Sequence, residues 1–348
     1  MNVFHENGHS VNGFHENGAP PTMVDGFGRR IEYLRISVTD KCNLRCVYCM
    51  PEEGLPWLRR DEILSYEEIT EVVRVMAGMG LRRVRLTGGE PLVRKDLPSL
   101  VAMLAAVPGI GDIALSTNAV LLAQMAESLR DAGVSRVNIS LDSLRPERAD
   151  AIARRPGTLA KVLRGLDAAE RVGFDPIKIN VVLMRGENDD EVAEFAELSR
   201  DRPLHVRFIE VMPTESNLEL SASNFLSCDE ALAAIAEVDA LEPVPGPPGN
   251  GPATYFSFPG ALGTIGAITP MSHNFCSRCN RMRLTADGQL RPCLFGTIQT
   301  PLRGALRRGE DLRPLVNETL RIKPEKHLLV QGSSEGSGGL IALSQTGG

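Results

Sequence analysis

A chain of 348 residues with 43% apolar side chains can bury one large α/β domain and a smaller appendage. A formal net charge of −6 argues against broad binding to nucleic acid or to an anionic membrane, although a local basic pocket is compatible with an acidic protein. No run reaches the roughly eighteen apolar residues of a membrane span, and the start lacks the basic and apolar regions of a signal peptide, so the cytoplasm is the expected compartment.

The chain opens with Phe-His-Glu-Asn-Gly at 4–8 and again at 14–18, followed by Pro20 and Pro21. Short polar repeats of this kind bury little, and residues 1–24 are expected to be a disordered tail without a catalytic task. From Tyr33 onward, short β-branched runs alternate with longer amphipathic ones over a domain expected at 25–240. Strands are predicted near 34–38, 84–86, 113–116, 137–141, 177–183 and 206–209. Ser65 and Glu68 form a capping box opening a helix whose Ile69, Val72, Val73 and Met76 share one face. Further helices are predicted near 96–107, 121–132, 158–172 and 189–199. Six strand-helix alternations imply a parallel sheet with right-handed crossovers; pattern alone leaves open whether it curls into a barrel or stays an open doubly wound sheet.

A Pro/Gly-rich linker follows at 241–253, where neither a helix nor a central strand can continue. Beyond it, 254–258 and 263–268 read as antiparallel strands of a C-terminal domain spanning 254–330. The last segment, 331–348, is rich in serine and glycine, is expected to be flexible, and ends in Gly347 and Gly348.

The cysteines carry the chemistry. Six of seven fall into two triads, and Cys228 stands apart as a free thiol with no assigned role; such usage argues for metal ligation in a reducing compartment, not for disulfides. Cys42, Cys46 and Cys49 have CxxxCxxC spacing directly after the first strand run. Four thiolates would saturate a 4Fe-4S cluster as an electron carrier, whereas three leave one iron open for chemistry. A structural zinc site is the alternative; it wants four protein ligands, and no histidine lies within about thirty residues on the C-terminal side. The second triad is Cys276, Cys279 and Cys293. His273 lies three residues before it, so a Cys3His zinc ribbon competes with a second open-iron cluster there.

Several stretches, in order, carry a resemblance: Phe27-Gly28-Arg29, Tyr33-Leu34-Arg35-Ile36-Ser37 running into Thr39-Asp40-Lys41-Cys42, Thr87-Gly88-Gly89-Glu90-Pro91, residues 275–285, and the Gly-Gly end. Together they resemble the GTP 3′,8-cyclase family of molybdenum-cofactor biosynthesis, within the radical S-adenosylmethionine (SAM) superfamily, and cover nearly everything from Asp25 to Gly348. The resemblance implies an incomplete six-stranded (β/α)6 TIM-type barrel whose site faces the C-terminal ends of the strands, with a small C-terminal α+β region carrying a second cluster. It implies two 4Fe-4S clusters and SAM as cofactors. The metal ligands are then Cys42, Cys46, Cys49, Cys276, Cys279 and Cys293. One electron into SAM at the first cluster gives methionine and a 5′-deoxyadenosyl radical, which abstracts the 3′ hydrogen of GTP; the ribose carbon then attacks C8 of guanine. The product, 3′,8-cyclo-7,8-dihydro-GTP, opens molybdopterin synthesis.

By the same resemblance Tyr48, Gly89, Ser140 and Met212 meet SAM, and the backbone and carboxylate of the Gly88-Gly89-Glu90-Pro91 motif approach its amino group. Arg35, Arg85, Thr117, Lys178, Arg281, Met282 and Arg283 meet GTP, where the fixed fork of arginine suits phosphate oxygens. Arg281, Arg283, Gly347 and Gly348 take catalytic roles. Implied partners are a low-potential electron donor of flavodoxin or ferredoxin type, the downstream cyclic pyranopterin monophosphate synthase, and a second copy in a homodimer. Two departures stand out: Ala119, where Thr-Asn-Gly is more usual, and Gln345-Thr346 before the end. A peptide-modifying radical SAM enzyme with an auxiliary cluster is the alternative enzyme and calls for more cysteines. An iron-sulfur assembly or electron-transfer protein leaves Gly-Gly-Glu-Pro and the arginines unexplained.

Overall fold

The computed structural model describes residues 22–249, 251–327, 329 and 343. In chain order its strands are β1 (Tyr33–Ser37), β2 (Arg83–Thr87), β3 (Asp112–Thr117), β4 (Arg136–Ser140), β5 (Ile177–Leu183), β6 (Leu204–Glu210), β7 (Glu242–Val244), β8 (Thr254–Ser257), β9 (Thr264–Ile268), β10 (Arg281–Leu284), β11 (Gln289–Arg291) and β12 (Thr300–Pro301). The helices are α1 (Tyr66–Gly78), α2 (Leu97–Ala105), α3 (Leu122–Ala132), α4 (Pro146–Ala153), α5 (Thr158–Arg171), α6 (Val192–Glu197), α7 (Leu218–Ser223), α8 (Cys228–Ala236), α9 (Arg303–Arg307) and α10 (Arg313–Arg321).

β1 to β6 pair in parallel in sequence order, as expected of crossovers through helices. Their alternate residues, such as Leu34, Ile36, Val84, Leu86, Val137 and Ile139, are fully buried and meet the inner faces of the helices. α1 begins where predicted: the Ser65 side chain accepts from the Glu68 backbone N–H while the Glu68 carboxylate accepts from that of Ser65, and Val72, Val73 and Met76 enter the core. Burying each such side chain is worth about 1.5–3 kcal/mol.

The sheet does not end at β6. β9 adds in parallel beside β6, and β10 adds in parallel beside β1, so the C-terminal region extends both edges of the barrel sheet. β8 and β7 then continue antiparallel on one side, and β11 and β12 on the other. The second cysteine region is therefore stitched into the barrel through β10 and is not a sheet of its own.

Two boundaries differ from expectation. Met23 is buried and Val24 bridges to Arg30, so the ordered fold starts ahead of Asp25; residues 1–21 lie outside the described part. The linker contains β7, an outermost strand where Pro243 needs no further partner for a missing N–H. Of the last segment only Leu343 is described, so Gly347 and Gly348 fall outside the described residues. Cys228 is buried at the start of α8, its thiol directed to the Phe208 and Ile268 carbonyls and pushed up to about 12 by burial, which suits an inert core thiol.

Candidate active site

The first triad hangs from the end of β1. Val38 N–H donates to Thr87 O at 2.9 Å, Gly89 N–H to Thr39 O at 2.8 Å and Glu90 N–H to Lys41 O at 2.8 Å, so the chain after β2 zips onto the chain leading into Cys42. A Cβ on Gly88 would fall onto the Thr39 carbonyl, and one on Gly89 onto that of Lys41. The two glycines are thus required by this backbone approach. The loop of the triad is fixed from its other side by Arg45 N–H and Val47 N–H, which donate to Ala153 O and Ile152 O at 3.0 Å each.

Cys42, Cys46 and Cys49 all line one cavity. Burial pushes the Cys42 thiol up to about 11; burial, then Asp142 and the other two sulfurs, push Cys46 well above the ordinary range. Mutual influence among the three sulfurs places them together, and their protons must leave when metal binds. Around them, Tyr48 OH donates to Asp142 at 2.8 Å, and Asn217 Nδ2 donates to Tyr48 O at 2.6 Å and Met212 O at 3.1 Å. Asn217 therefore joins two of the residues expected at SAM. Tyr48, Gly89, Ser140 and Met212 all line the cavity.

Glu90 is fully buried. Its carboxylate accepts from Thr117 Oγ1 at 2.6 Å, Asn118 N–H at 2.7 Å and Leu92 N–H at 3.1 Å, and burial raises its pKa to about 7. Its carboxylate thus braces the end of β3. Thr117 lines the cavity too, but its hydroxyl hydrogen bonds to Glu90.

The second triad gathers two segments. Cys276 and Cys279 sit on a short 3-10 turn closed by Cys279 N–H to Cys276 O at 3.1 Å, and Cys293 follows β11. All three line the same cavity as the first triad. Burial raises the Cys276 thiol; at Cys279 burial is outweighed by Lys323 and Arg281, which bring it down to about 7. His273 is exposed and hydrogen bonded to Asp229 at 2.8 Å, outside the cavity lining, so the Cys3His zinc reading loses its fourth ligand. Among the described residues no three His, Cys, Asp or Glu side chains converge on a single ion. Three thiols facing an open cavity fit a cluster with an open iron.

Between the triads the cavity has an empty volume of about 1890 Å³, including its open mouth. Strand alternation sends Arg281 and Arg283 into it, with Arg283 level with Arg35 on β1. Met282 is a correction: as the intervening residue it points to the opposite face, is fully buried in the apolar core and is absent from the lining. Arg85 and Arg207 also line the cavity. Arg85 donates to Ser116 Oγ at 3.2 Å and to the Tyr33 hydroxyl; Arg207 donates to Asn180 Oδ1 at 2.9 Å. Burial and then Arg283 hold Arg35 well below its usual range, while burial and then Arg281 lower Arg283 to about 10. Crowded buried cations of this sort are relieved by a bound polyanion.

Lys178 stands apart at the inner end, behind the linker. Its ammonium nitrogen donates to Pro248 O at 3.0 Å, it is not a lining residue, and burial followed by Arg207, Arg136 and Arg85 lowers it to about 6. Asn138, Asn180 and Arg207 were not anticipated from sequence. A signal existed: each is a polar residue at an alternate position within an otherwise apolar strand, the same pattern that marks Arg85 and Lys178. Leu343 lines the cavity as well.

Residues 36–199 match the radical SAM superfamily, and residues 204–329 match the molybdenum cofactor synthesis C family. In fold the chain resembles Streptococcus suis SuiB bound to S-adenosylmethionine, with a TM-score of 0.56 at 14% identity, over 83% of this chain and 67% of that one. The parallel barrel sheet with a three-cysteine loop after β1 is that of a radical SAM enzyme. The chain is 47% identical to the GTP 3′,8-cyclase of Moorella thermoacetica over 94% of its own length and 100% of that protein, and 49% identical to that of Pelotomaculum thermopropionicum over 89% and 96%. It belongs to the GTP 3′,8-cyclase family, whose cofactors are SAM and iron-sulfur clusters.

Proposed function

We propose that this chain converts GTP to 3′,8-cyclo-7,8-dihydro-GTP, the first step of molybdenum cofactor biosynthesis. The observation that supports this most is the sharing of one cavity by two cysteine triads and by Arg35, Arg85, Arg281 and Arg283. In this reading Cys42, Cys46 and Cys49 hold one 4Fe-4S cluster and Cys276, Cys279 and Cys293 a second. When bound, the first cluster supplies the electron that cleaves SAM, and the second offers an iron to guanine.

The chain's own residues bind and orient. Tyr48, Gly89, Ser140 and Met212 contact SAM, with Asn217 holding Tyr48 and Met212 through their carbonyls. Arg35, Arg85, Arg281 and Arg283 take the triphosphate: each charge-assisted hydrogen bond contributes about 1.5–3 kcal/mol, and their mutual repulsion is relieved by the bound anion. Thr117 contributes through the backbone that Glu90 braces, and Lys178 reaches phosphate once Pro248 yields its ammonium. Gly347 and Gly348 take part in catalysis; Leu343, four residues before Gly347, lines the cavity.

A low-potential flavodoxin- or ferredoxin-type donor, a cyclic pyranopterin monophosphate synthase acting on the product, a homodimer and a cytoplasmic site of action belong to the same reading. No helix among the described residues is long and apolar enough to cross a membrane. The test is anaerobic SAM cleavage with GTP, with other nucleotides and with peptides. GTP-dependent 5′-deoxyadenosine formation with release of the cyclised nucleotide is expected; cleavage stimulated by a peptide and not by GTP would instead support a peptide-modifying enzyme.

A further inference from the structure

Lys323 follows the last turn of α10, and its side chain enters the protein behind the second triad, where the residue is only 3% exposed. Its ammonium nitrogen lies 3.6 Å from Cys279 Sγ and 3.0 Å from Arg281 O, and it also donates to Pro292 O. An ammonium has three protons, and here one goes to a ligand sulfur and two to carbonyls beside different ligands. Arg281 O lies just past Cys279, and Pro292 O just before Cys293, so one side chain ties the two ligand-bearing segments together. Arg29 completes the arrangement from the other end of the chain. It donates to Cys276 O at 2.8 Å, Glu325 O at 2.7 Å and Pro324 O at 2.6 Å, while Asp25 pairs with its Nε at 2.6 Å. The backbone next to Lys323 is thereby fixed to the backbone of the third ligand.

At the first triad the cation near Cys42 is Arg45, which donates to the Cys42 and Leu44 carbonyls at 3.0 and 2.8 Å and not to the sulfur. Cys42 Sγ accepts from Leu44 N–H at 3.4 Å and lies 4.0 Å from Asn118 Nδ2, both neutral donors.

We propose that Lys323 is a positioning residue for the second cluster: it holds the Cys279 and Cys293 segments in register and, through its charge at the Cys279 sulfur, raises the reduction potential of the cluster bound there. Reduction adds negative charge to a cluster, so a fixed cation beside a ligand sulfur favours the reduced form; hydrogen bonds to the sulfurs act in the same direction. The inference rests on the second triad holding a cluster, and iron counting tests that premise separately.

The measurement is a redox titration followed by electron paramagnetic resonance, on full-length chain in which Cys42, Cys46 and Cys49 are all alanine so that only the second cluster loads. With Lys323 intact this chain should hold about four irons; if it holds none, the cluster assignment fails and not the role of the lysine. Lys323→Met and Lys323→Gln should each reduce the equilibrium constant for reduction at least tenfold, which for a one-electron couple is about 59 mV downward. Lys323→Arg should restore most of it. Loss of iron from Lys323→Met and Lys323→Gln, with the fold retained and iron kept by Lys323→Arg, also supports the proposal. Loaded clusters with unchanged potential in the methionine and glutamine variants would overturn it. Failure of both variants to fold would overturn it too, because the lysine would then belong to the fold and not to the cluster.

Discussion

Cys42, Cys46 and Cys49 lie on one loop pinned against β2 and α4, whereas Cys276, Cys279 and Cys293 are drawn from two segments and held by side chains from both ends of the chain. Their electrical surroundings differ as much as their construction. At the first triad burial pushes the Cys42 and Cys46 thiols up, with Glu90 and Asp142 adding to it and Arg45 opposing it at Cys42; at the second, burial raises Cys276 while Lys323 and Arg281 bring Cys279 down to about 7. A locally encoded loop takes its geometry from adjacent backbone, and the cation that ties it, Arg45, belongs to the loop itself and donates to the Cys42 and Leu44 carbonyls. A site assembled from distant segments needs something to close it, and here the closing groups are cations. On the same side Arg281 and Arg283 leave the second triad on consecutive inward positions of β10 and line the cavity.

The largest expected effect separates the two triads outright. Anaerobically reconstituted protein should carry about eight irons, and changing Cys276, Cys279 and Cys293 together to alanine should leave about four, as should the matching change at Cys42, Cys46 and Cys49. Iron and acid-labile sulfide analysis reads this directly. A second-triad variant that kept all its iron and lost zinc would break the comparison.

How much of this was legible in sequence depends on how local the determinant is. The six barrel strands and the capped helix α1 were readable because period and capping chemistry are short-range. The same Ser-x-x-Glu signature at Ser227 and Glu230 opens α8, but the alanine-rich turns that follow it before the linker carry little periodic signal. The cysteines announce themselves by spacing, but Lys323 does not: it stands 44 positions from Cys279, after a helix that looks like ordinary amphipathic surface. Met282 erred for the opposite reason. It sits inside a motif, and only the alternation of β10, whose pairing to β1 is non-local, shows that its side chain leaves the cavity.

Next in size is the cationic wall. Arg281→Ala and Arg283→Ala should each weaken GTP by about tenfold to somewhat over a hundredfold, the equivalent of about 1.5–3 kcal/mol, with iron content unchanged. Anaerobic GTP titrations with iron measured in parallel check this. Equal affinity in parent and both variants would detach the second triad from the substrate and leave its cations purely structural.

A smaller effect sharpens the same point behind the linker, beyond the cavity lining. The unliganded Lys178 ammonium is lowered to about 6 by burial and by Arg207, Arg136 and Arg85, so near pH 8 it is mainly neutral. A phosphate brought to it favours the charged form, and GTP binding should then take up a proton in the window between about pH 6 and the ordinary lysine range. Calorimetry at pH 8 in buffers of different ionisation enthalpy should report an uptake approaching about one proton per site, absent in Lys178→Met. The sign is fixed: a folded-state pKa held below the unfolded value costs stability in full below about pH 6, the cost fades as pH rises through the window towards the ordinary lysine range, and a bound anion reverses it. No uptake would mean that Pro248 keeps the lysine and that the triphosphate stops at the arginines.

The smallest effect concerns the first triad's own scaffold. Ala119 holds φ at +58° on the turn that presents Asn118 to Asn43 and Cys42, and its N–H donates to Thr117 Oγ1 at 2.9 Å. The left-handed conformation costs alanine about 1–2 kcal/mol. Glycine would remove that strain but would add about 0.5–1 kcal/mol of chain entropy and forfeit about 0.8 kcal/mol for a buried methyl, since Ala119 is fully buried. The terms nearly cancel, so Ala119→Gly should leave thermal stability within about 0.5 kcal/mol of the parent. Ala119→Val should not be tolerated in the same way. A β-branched side chain resists this φ, and the neighbouring Gly165 on α5 packs so closely against Ala119 that even its own missing Cβ would meet the Ala119 carbonyl. A loss of about 2 kcal/mol or more is expected for valine by thermal unfolding, with weaker iron retention at the first triad and the second unaffected. If valine instead stripped iron from both triads equally, the two sites would share one scaffold, and the contrast between a locally built and a long-range-assembled centre would not hold.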